Sequence, residues 1–267
     1  MKDALKSLLL PFAKPILSKI HQFKDSHCGE SCYLVGGGIS IKWFDLATFS
    51  DKISMPSQWI PFHNDFHRLN VEHVLLPEPY FFFPYLMGPH GKLWRNKIQN
   101  EYRKVIGENS DKNFLLNLSN YPVMRSRNVT FLFKDLCDPR VPQNFIANRI
   151  NSFHGSLRTS ILLAIYFGFD HAYLVGFDYT HKPARNLHWI EKGQGHFVVH
   201  ENYNKDFFEV AKEFIDITTI TLDGTSDLVG AVTYKKHTGR DPIFRENTEL
   251  VSDHYLHVLA TWPDYRI

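Results

Sequence analysis

Apolar, β-rich runs alternate with longer amphipathic segments along most of this chain, and this alternation constrains the fold more than any other feature. Residues 155–169 have apolar side chains at helical spacing that stop at Gly168, and residues 204–215 predict a second helix. Strands that alternate with helices predict an α/β fold: a single Rossmann-like parallel sheet with helices on both faces and a lid-like segment. The predicted strands are residues 33–35, 73–76, 114–118, 129–133, 172–175 and 218–222.

The composition is typical of a globular protein, with 267 residues, 43% of them hydrophobic and 22% charged. A formal net charge of +2 argues against nucleic-acid binding by bulk electrostatics. Cys28 and Cys32, with His27 beside them, could ligate a metal ion. Their C-x3-C spacing has no second pair, however, and this favours ordinary thiols in a reducing cytoplasm. The sequence therefore predicts no metal site and no cofactor.

The first 29 residues form a basic amphipathic segment that stands apart from the rest of the chain. Leucine, isoleucine and phenylalanine recur at helical spacing between lysines, while Pro11 and Pro15 interrupt a straight helix. The lysines exclude a transmembrane span. Two interpretations stay open: a segment packed on the domain, or a peripheral anchor on the inner face of an anionic membrane.

No repeat or low-complexity linker divides the remaining chain. We predict one nucleotide-fold domain over residues 30–226, with the lid near residues 181–200, and a C-terminal extension over residues 227–267 that runs as an extended tail. The sequence leaves open an assembly of identical copies.

Three consecutive glycines follow the first predicted strand, in the stretch CYLVGGGISIK. The dinucleotide fingerprint G-x-G-x-x-G fails here, because its last position is Ile41, and no Gly-Lys-Ser/Thr follows as a P-loop requires. A glycine-rich turn with a nearby hydroxyl, Ser40, can hold one phosphate through backbone N–H groups without a metal. A tight strand exit that binds nothing is the alternative.

Other polar groups fall where the predicted fold would bring them to the ligand side of the sheet. Asp178 follows the strand of residues 172–175, and Ser156 stands at the start of the predicted helix, where an anion is favoured. His196 and His200 are four residues apart, but the Phe-Val-Val between them is β-like. This pattern favours a single catalytic histidine over a zinc pair.

The order of these motifs resembles bacterial sialyltransferases of glycosyltransferase family 42. The motifs are the strand with G-G-G-I-S, a PEP segment, the G-S helix start, YLVGFDY, HFVVH and TTITLDGTSDL, in colinear order over roughly residues 31–226. The family's counterparts read like G-N-G-P-S, Y-L-S-G-I-D and H-Y-I-G-H. The glycine turn and the G-x-D strand also occur in a wider group that includes pterin pyrophosphokinase-like proteins.

The resemblance implies a role for each matching residue. The general base falls on His200, and the hydroxyl that holds the donor's carboxylate falls on Ser156. The family's Asn-Pro and Asn-Gln donor contacts fall on Glu78-Pro79 and Ser57-Gln58. The implied donor-binding residues are Gly36, Gly37, Gly38, Ser40, Ser57, Gln58, Glu78, Ser156 and Asp178.

The chain also departs from the family pattern. Gly37, Ser57 and Glu78 each stand where the family has asparagine. The tyrosine that would steady the leaving phosphate is Thr180 here. Alternative groups for that phosphate are His181, Lys182, Arg185 and His188.

The resemblance implies a metal-independent, inverting, sialyltransferase-like enzyme of lipopolysaccharide or capsule biosynthesis. A CMP-activated sugar would be the donor and a glycan or glycolipid hydroxyl the acceptor, in the cytoplasm or at the inner face of the membrane. A neutral histidine suits proton removal from that hydroxyl near pH 7. One alternative is a Mg²⁺-dependent, ATP-using pyrophosphokinase-like enzyme, for which Glu78, Asp135, Asp138 and Asp178 are the candidate acids. Another is a nucleotide- or glycan-binding module without turnover.

Overall fold

The computed structural model describes residues 12–83, 89–132, 155–199, 204–261 and 265–267. A five-stranded, fully parallel sheet lies at the centre, with the strand order β10-β9-β6-β1-β2. Its strands are β1 (Ser31–Val35), β2 (Ile53–Pro56), β6 (His171–Val175), β9 (Asp216–Thr221) and β10 (Gly230–Thr233), while β7 (Ala184–Arg185) and β8 (Phe197–Val198) form a separate antiparallel pair.

A second parallel sheet continues the first beyond β2. It consists of β3 (His73–Leu76), β4 (Asn113–Asn117) and β5 (Val129–Leu132), in that order. Single bridges join Ser54 to Val71 and Ser57 to Leu75, so β3 runs alongside β2. The chain moves outward from β1 through β5 and then returns to the other side of β1 with β6. The strand order therefore reverses between β1 and β6, which is where ligands bind in folds of this kind.

Helices cover both faces of the sheets. They are α1 (Pro89–Glu108), α2 (Gly155–Phe167), α3 (Lys205–Ala211), α4 (Tyr234–Thr238), α5 (Asn247–Leu250) and α6 (Asp253–Leu259). Ten of the thirteen residues of α2 are buried, and the helix packs across β1 and β3. The backbone carbonyls of Tyr166 and Phe167, at its C-terminal end, accept from the segment before β1. The opposite end of α2, with Gly155 and Ser156, therefore points to the carboxyl edge of the sheet.

The α/β class and the parallel sheet that the sequence predicts are confirmed, with the six expected strands shifted by at most two residues. The predicted helix over residues 155–169 is α2, and the one over 204–215 is the shorter α3, after which residues 212–214 form turns. The elements that were not predicted include α1, β2 and β10, and the C-terminal helices α4, α5 and α6. The strands β2 and β10 are only four residues long, too short to show a strand period, and β2 ends on Pro56.

The expectation of an extended C-terminal tail is wrong. Residues 230–233 form the edge strand β10, in which Ala231 and Val232 pair with Thr219 and Ile220 of β9. Tyr234, Leu250 and Leu259 are buried in the core on one face of the sheet. The boundary at residue 226 stays a prediction.

Of the basic N-terminal segment, the structure describes residues 12–29. Leu17 and Ile20 are buried, and Lys19 Nζ donates to the carbonyls of Arg127 and Val129 at 2.5 and 2.8 Å. This half of the segment is therefore packed on the domain, as the first interpretation expects. Residues 1–11 lie outside the described part. Among the helices of the described residues, none combines the length and apolarity needed to cross a bilayer.

Candidate functional site

The glycine turn follows β1 at the point where the strand order reverses, beside the end of β6. Gly36 N–H donates to Val175 O at 2.7 Å, and Gly38 N–H donates to Gly176 O at 2.7 Å. Two of the three glycine N–H groups are therefore used to join the exits of β1 and β6. The sequence predicts that these groups face a phosphate, and the structure gives them a protein partner instead.

Close backbone approach explains why glycine is needed here. A Cβ on Gly36 would lie 2.7 Å from Gly176 O, and one on Gly38 would lie 2.7 Å from Asp178 Cγ. Gly176 has a φ of +69°, and a Cβ there would lie 2.7 Å from Gly36 O. Gly36, Gly38 and Gly176 thus form a tight crossing. Gly37 differs, because its nearest neighbours would be the side chains of Gln58 and His188.

Ser40 and Asp178 form a buried pair across this crossing. Ser40 N–H donates to Asp178 Oδ2 at 2.8 Å, and the Ser40 hydroxyl donates to Asp178 Oδ1. Ser40 is 1% and Asp178 3% exposed. The predicted phosphate-binding hydroxyl is therefore engaged by the predicted donor-binding carboxylate, which links β1 to β6.

His181 lies beside this pair and is also buried. Its Nδ1 lies 3.7 Å from Asp178 Oδ1, and its buried Nε2 has no hydrogen-bond partner among the described residues. Burial lowers the pKa of His181, opposed by the carboxylates of Asp178 and Asp223. The ring is thus a neutral, buried group with one nitrogen available to a ligand.

His188 lies directly on the glycine turn. Its Nδ1 is 3.1 Å from Gly37 O, and Glu191 Oε1 accepts from the His188 backbone N–H at 2.8 Å. Because a carbonyl oxygen only accepts, Nδ1 carries the proton of the neutral ring, and Nε2 holds the lone pair. This is the tautomer that a general base needs, and Tyr265 packs edge-on against the ring.

Gln58 lies on the other side of Gly37. Its backbone has a φ of +52°, an uncommon value for a residue other than glycine. The Tyr102 hydroxyl donates to the Gln58 carbonyl, and Gln58 N–H donates to Leu75 O at 3.3 Å. These bonds hold the strained residue in place, as is common at binding sites.

A small cleft opens beside Asp178 and His181. Two cations border it, Lys182 and Arg185. The Arg185 guanidinium lies 4.1 Å from the ring centre of Phe197 and donates to Gln194 O at 3.1 Å. The cavity volume is about 10 Å³, which holds about one water molecule. The lining residues are Ser40, Asp178, His181, Lys182, Pro183, Arg185, Thr221, Leu222, Asp223 and Thr225.

Two of the predicted residues turn away from this cleft. Thr180 is fully buried, and its hydroxyl donates to Phe177 O at 2.8 Å and contacts the Thr219 hydroxyl at 2.9 Å. Ser57 is also fully buried, and its hydroxyl donates to Val35 O at 3.2 Å. Both side chains are engaged with the sheet itself.

Glu78 follows β3 at the same carboxyl edge. Although its own surface is partly exposed, burial among its neighbours raises the pKa of Glu78 to about 7. Its charge in turn contributes to raising the pKa of Tyr102, after the larger effect of burial. Near neutral pH, Glu78 is therefore populated as a carboxylic acid, which donates and accepts hydrogen bonds as an asparagine side chain does.

Several predicted site residues lie away from the cleft or outside the residues that the structure describes. Ser156 is buried in the first turn of α2, at the carboxyl edge by the direction of that helix. His196 is exposed and paired with Asn186 at 3.0 Å. His200, Asp135 and Asp138 lie outside the described residues. Thr221, Asp223 and Thr225 line the cleft and were not predicted individually, although Thr221 lies in a predicted strand and the other two follow it.

A set of three metal-ligating side chains is not found at this cleft within the part of the chain that the structure describes. Asp178 uses both carboxylate oxygens on Ser40, and Glu78 follows a different strand. The acidic cluster that a pyrophosphokinase-like reaction requires is therefore not formed by the described candidates.

No family model matches this chain, and no curated protein sequence matches it. Solved structures similar to it include the sialyltransferase CstII from Campylobacter jejuni in complex with cytidine-5'-monophosphate. That match has 12% identity and a TM-score of 0.39, and covers 88% of this chain and 98% of that one. A second is the monofunctional α-2,3-sialyltransferase Cst-I from Campylobacter jejuni, with 14% identity, a TM-score of 0.37, and coverage of 84% and 85%. These values relate the chains only loosely, so function is argued from the cleft.

Proposed function

We propose that this chain is a metal-independent, inverting glycosyltransferase that uses a CMP-activated, sialic-acid-like donor. The observation that carries the proposal is His188, held on the glycine turn through Gly37 O with the lone pair on Nε2. The cleft bordered by Lys182 and Arg185 is lined by Ser40, which follows the same turn, so a candidate base and a cationic site for a leaving phosphate both border the turn where the strand order reverses.

In the proposed reaction, an acceptor hydroxyl oxygen attacks the anomeric carbon of the donor. The bond from that carbon to the phosphate oxygen breaks, and its electron pair leaves with CMP. Lys182 and Arg185 stabilise the negative charge that develops on the phosphate. The acceptor proton moves to a neutral histidine.

Two histidines compete for the role of base. The family resemblance assigns it to His200, which lies outside the described residues. The geometry supports His188, whose Nδ1 is fixed by Gly37 O at 3.1 Å. His181 is the less suitable of the described histidines, since Asp178 and burial enclose its ring.

The donor requires more room than the cleft now offers. Arg185 is held through Phe197 and Gln194, both within residues 181–199. We infer that the part of this segment with Gln194 and Phe197 moves outward when a nucleotide binds, as a lid does, while His188 stays on the glycine turn. Glu78, as a neutral acid, would then replace the asparagine of the family pattern as a donor contact.

The same proposal places the acceptor on a growing surface glycan, such as lipopolysaccharide or capsule. Lipid-linked acceptors of this type would bring the protein to the inner face of a membrane through residues 1–11. Binding to vesicles that contain anionic lipid would test this part separately from catalysis.

The first experiment measures thermal stabilisation of the chain by CMP, CDP, UDP and ATP, each with Mg²⁺ and with EDTA. Each shift is taken against the same buffer without nucleotide. Stabilisation by CMP that persists in EDTA is expected. Stabilisation only by ATP with Mg²⁺ would refute the proposal in favour of the pyrophosphokinase-like alternative.

The base is tested with three alanine variants, in assays of CMP release from CMP-sialic acid with glycan acceptors. We expect His188→Ala to lower kcat by about 100-fold or more while leaving CMP binding within a few-fold. His196→Ala is the matched control, since that exposed histidine belongs to the same segment. Loss of kcat in His200→Ala alone would transfer the role to His200. CMP binding without turnover in the unmodified chain would indicate a binding module.

A further inference from the structure

Two histidines and one glutamate meet at the amino edge of the sheet, opposite the cleft. His27 precedes β1, while Glu72 and His73 stand at the start of β3. The Nε2 atoms of His27 and His73 lie 3.3 and 3.2 Å from the same atom, Glu72 Oε1. The ligand atoms of all three residues are within 4.8 Å of one another. A five-residue parallel strand spans about 17 Å, so this cluster is well separated from the glycine turn.

Ordinary hydrogen bonding does not account for this arrangement. His27 is 7% exposed and His73 is fully buried, yet the contacts of their Nε2 atoms with Glu72 Oε1 do not have hydrogen-bond geometry, and neither atom has another partner among the described residues. Hydrogen bonds between a charged N–H and a carboxylate are shorter, about 2.7–2.9 Å. In contrast, tetrahedral bonds of about 2.0–2.2 Å to zinc place neighbouring ligand atoms about 3.3 Å apart.

The second nitrogen of each ring also has a partner of the kind that metal-binding histidines use. His27 Nδ1 lies 3.5 Å from Glu30 Oε1, and His73 Nδ1 lies 3.3 Å from the Asn113 amide. Thr130 Oγ1 contacts the other end of that amide at 2.8 Å. In the structure Asn113 Nδ2 faces His73 Nδ1, and Oδ1 accepts from the Thr130 hydroxyl. Metal binding requires this amide to flip, so that Oδ1 accepts the Nδ1 proton, Nδ2 donates to Thr130 Oγ1, and Nε2 is left with a lone pair for the metal.

The surroundings suit a site that is rigid on one side and open on the other. The His27 ring stacks on Phe169 at 4.5 Å, and the His73 ring packs on Phe167 at 4.5 Å. The Glu72 side chain is 42% exposed, so solvent reaches the cluster from its side. Solvent access provides an entry path and a water molecule as a fourth ligand.

We propose that His27, Glu72 and His73 bind one divalent transition-metal ion of the zinc class. Imidazole nitrogens with one carboxylate form a ligand set that zinc uses. The ion would fasten the segment before β1 to the start of β3, and would draw the two rings closer together than they now lie. Its role is structural, since the reacting groups are at the opposite edge of the sheet.

The test titrates Zn²⁺ into the EDTA-treated, dialysed full chain in competition with a chromophoric chelator, with Co²⁺ absorption as a geometric probe. We expect about one tightly bound equivalent and a higher melting temperature with zinc. Glu72→Gln and His27→Gln should lower zinc affinity by more than about 100-fold, because even outer-sphere partners are worth 10–100-fold.

His257→Gln is the matched control, since this histidine is exposed and lies in α6, far along the chain from the cluster. It should bind zinc as the unmodified chain does. Far-UV circular dichroism without metal checks that each variant folds, and His27→Gln serves if Glu72→Gln does not. Failure of the unmodified chain to compete with the chelator, or equal affinity in all variants, would overturn the site. Neither result depends on transferase activity.

Discussion

Glu72 and Glu78 stand at the two ends of β3, and the protein treats them in opposite ways. The contact with His73 lowers the pKa of Glu72, against the effect of burial, and His27 adds to this lowering. At the other end, burial without a cationic partner raises the pKa of Glu78 to about 7. The amino edge therefore favours a charged carboxylate, while the carboxyl edge favours a neutral acid that can bind a ligand.

The two edges also differ in how their polar groups are satisfied. At the carboxyl edge, Ser40 and Asp178 satisfy each other, and glycines let the strand exits touch. At the amino edge, two buried histidines share a single carboxylate oxygen. The carboxyl edge is closed by direct contacts between its own residues. The amino edge has more metal-ligating atoms than hydrogen-bonding partners for them.

The largest expected effect on stability comes from a substitution at the carboxyl edge. Gly176→Ala should lower the free energy of unfolding by about 3 kcal/mol or more, because the residue has a positive φ and its Cβ would meet Gly36 O. Gly107→Ala is the matched control: nothing lies near its Cβ, and alanine in a helix stabilises by about 0.5–1 kcal/mol. Urea unfolding measures both. A Gly176→Ala chain as stable as the control would show that the crossing is not tight.

The two glutamates should also differ in how their contributions to stability depend on pH. The folded-state pKa of Glu78, about 7, is above its ordinary value of 4.5. The stability that protonation contributes is therefore complete below pH 4.5 and is lost as the pH rises to 7. Glu78→Gln does not titrate, and should exceed the unmodified chain in stability at pH 8 by up to about 3 kcal/mol.

Glu72→Gln should do the reverse at pH 8. Its lowered pKa means that the carboxylate stabilises the fold above pH 4.5, and that this contribution is lost as the pH falls through the lowered value. Unfolding curves of both variants at pH 4, 6 and 8 provide the comparison. The same sign for both variants at pH 8 would contradict the contrast between the two ends of β3.

The smallest effect concerns Ser40. Ser40→Ala leaves the buried Asp178 carboxylate without its hydroxyl donor but with the backbone N–H, so we expect a loss of about 1–2 kcal/mol in unfolding free energy. Ser50→Ala, at an exposed serine that bonds only the nearby Ala47 carbonyl, should change stability by less than about 0.5 kcal/mol. Equal effects in the two variants would remove Ser40 from the buried pair.

Much of the fold is predictable because its signals are local. Strands such as β3 and β4 are continuous apolar runs, as buried parallel strands require, and α2 shows helical spacing. The short strand β2 escapes prediction because its place between β1 and β3 is decided by pairing on both sides. For the glycine turn, the sequence predicts a phosphate site, with a tight strand exit as the alternative. What approaches it is the end of β6, a partner that no local pattern names.

The sequence by itself determined the α/β class, the position of the glycine turn at a strand exit, and the polar residues that follow other strands. Only the tertiary structure decided which groups meet: Ser40 with Asp178, His188 with Gly37, and His27 with Glu72 and His73. The physical reason is that burial and backbone preference act over a few residues and leave a periodic trace. Contacts between distant segments depend on strand order and helix direction, and these leave no spacing rule in the chain.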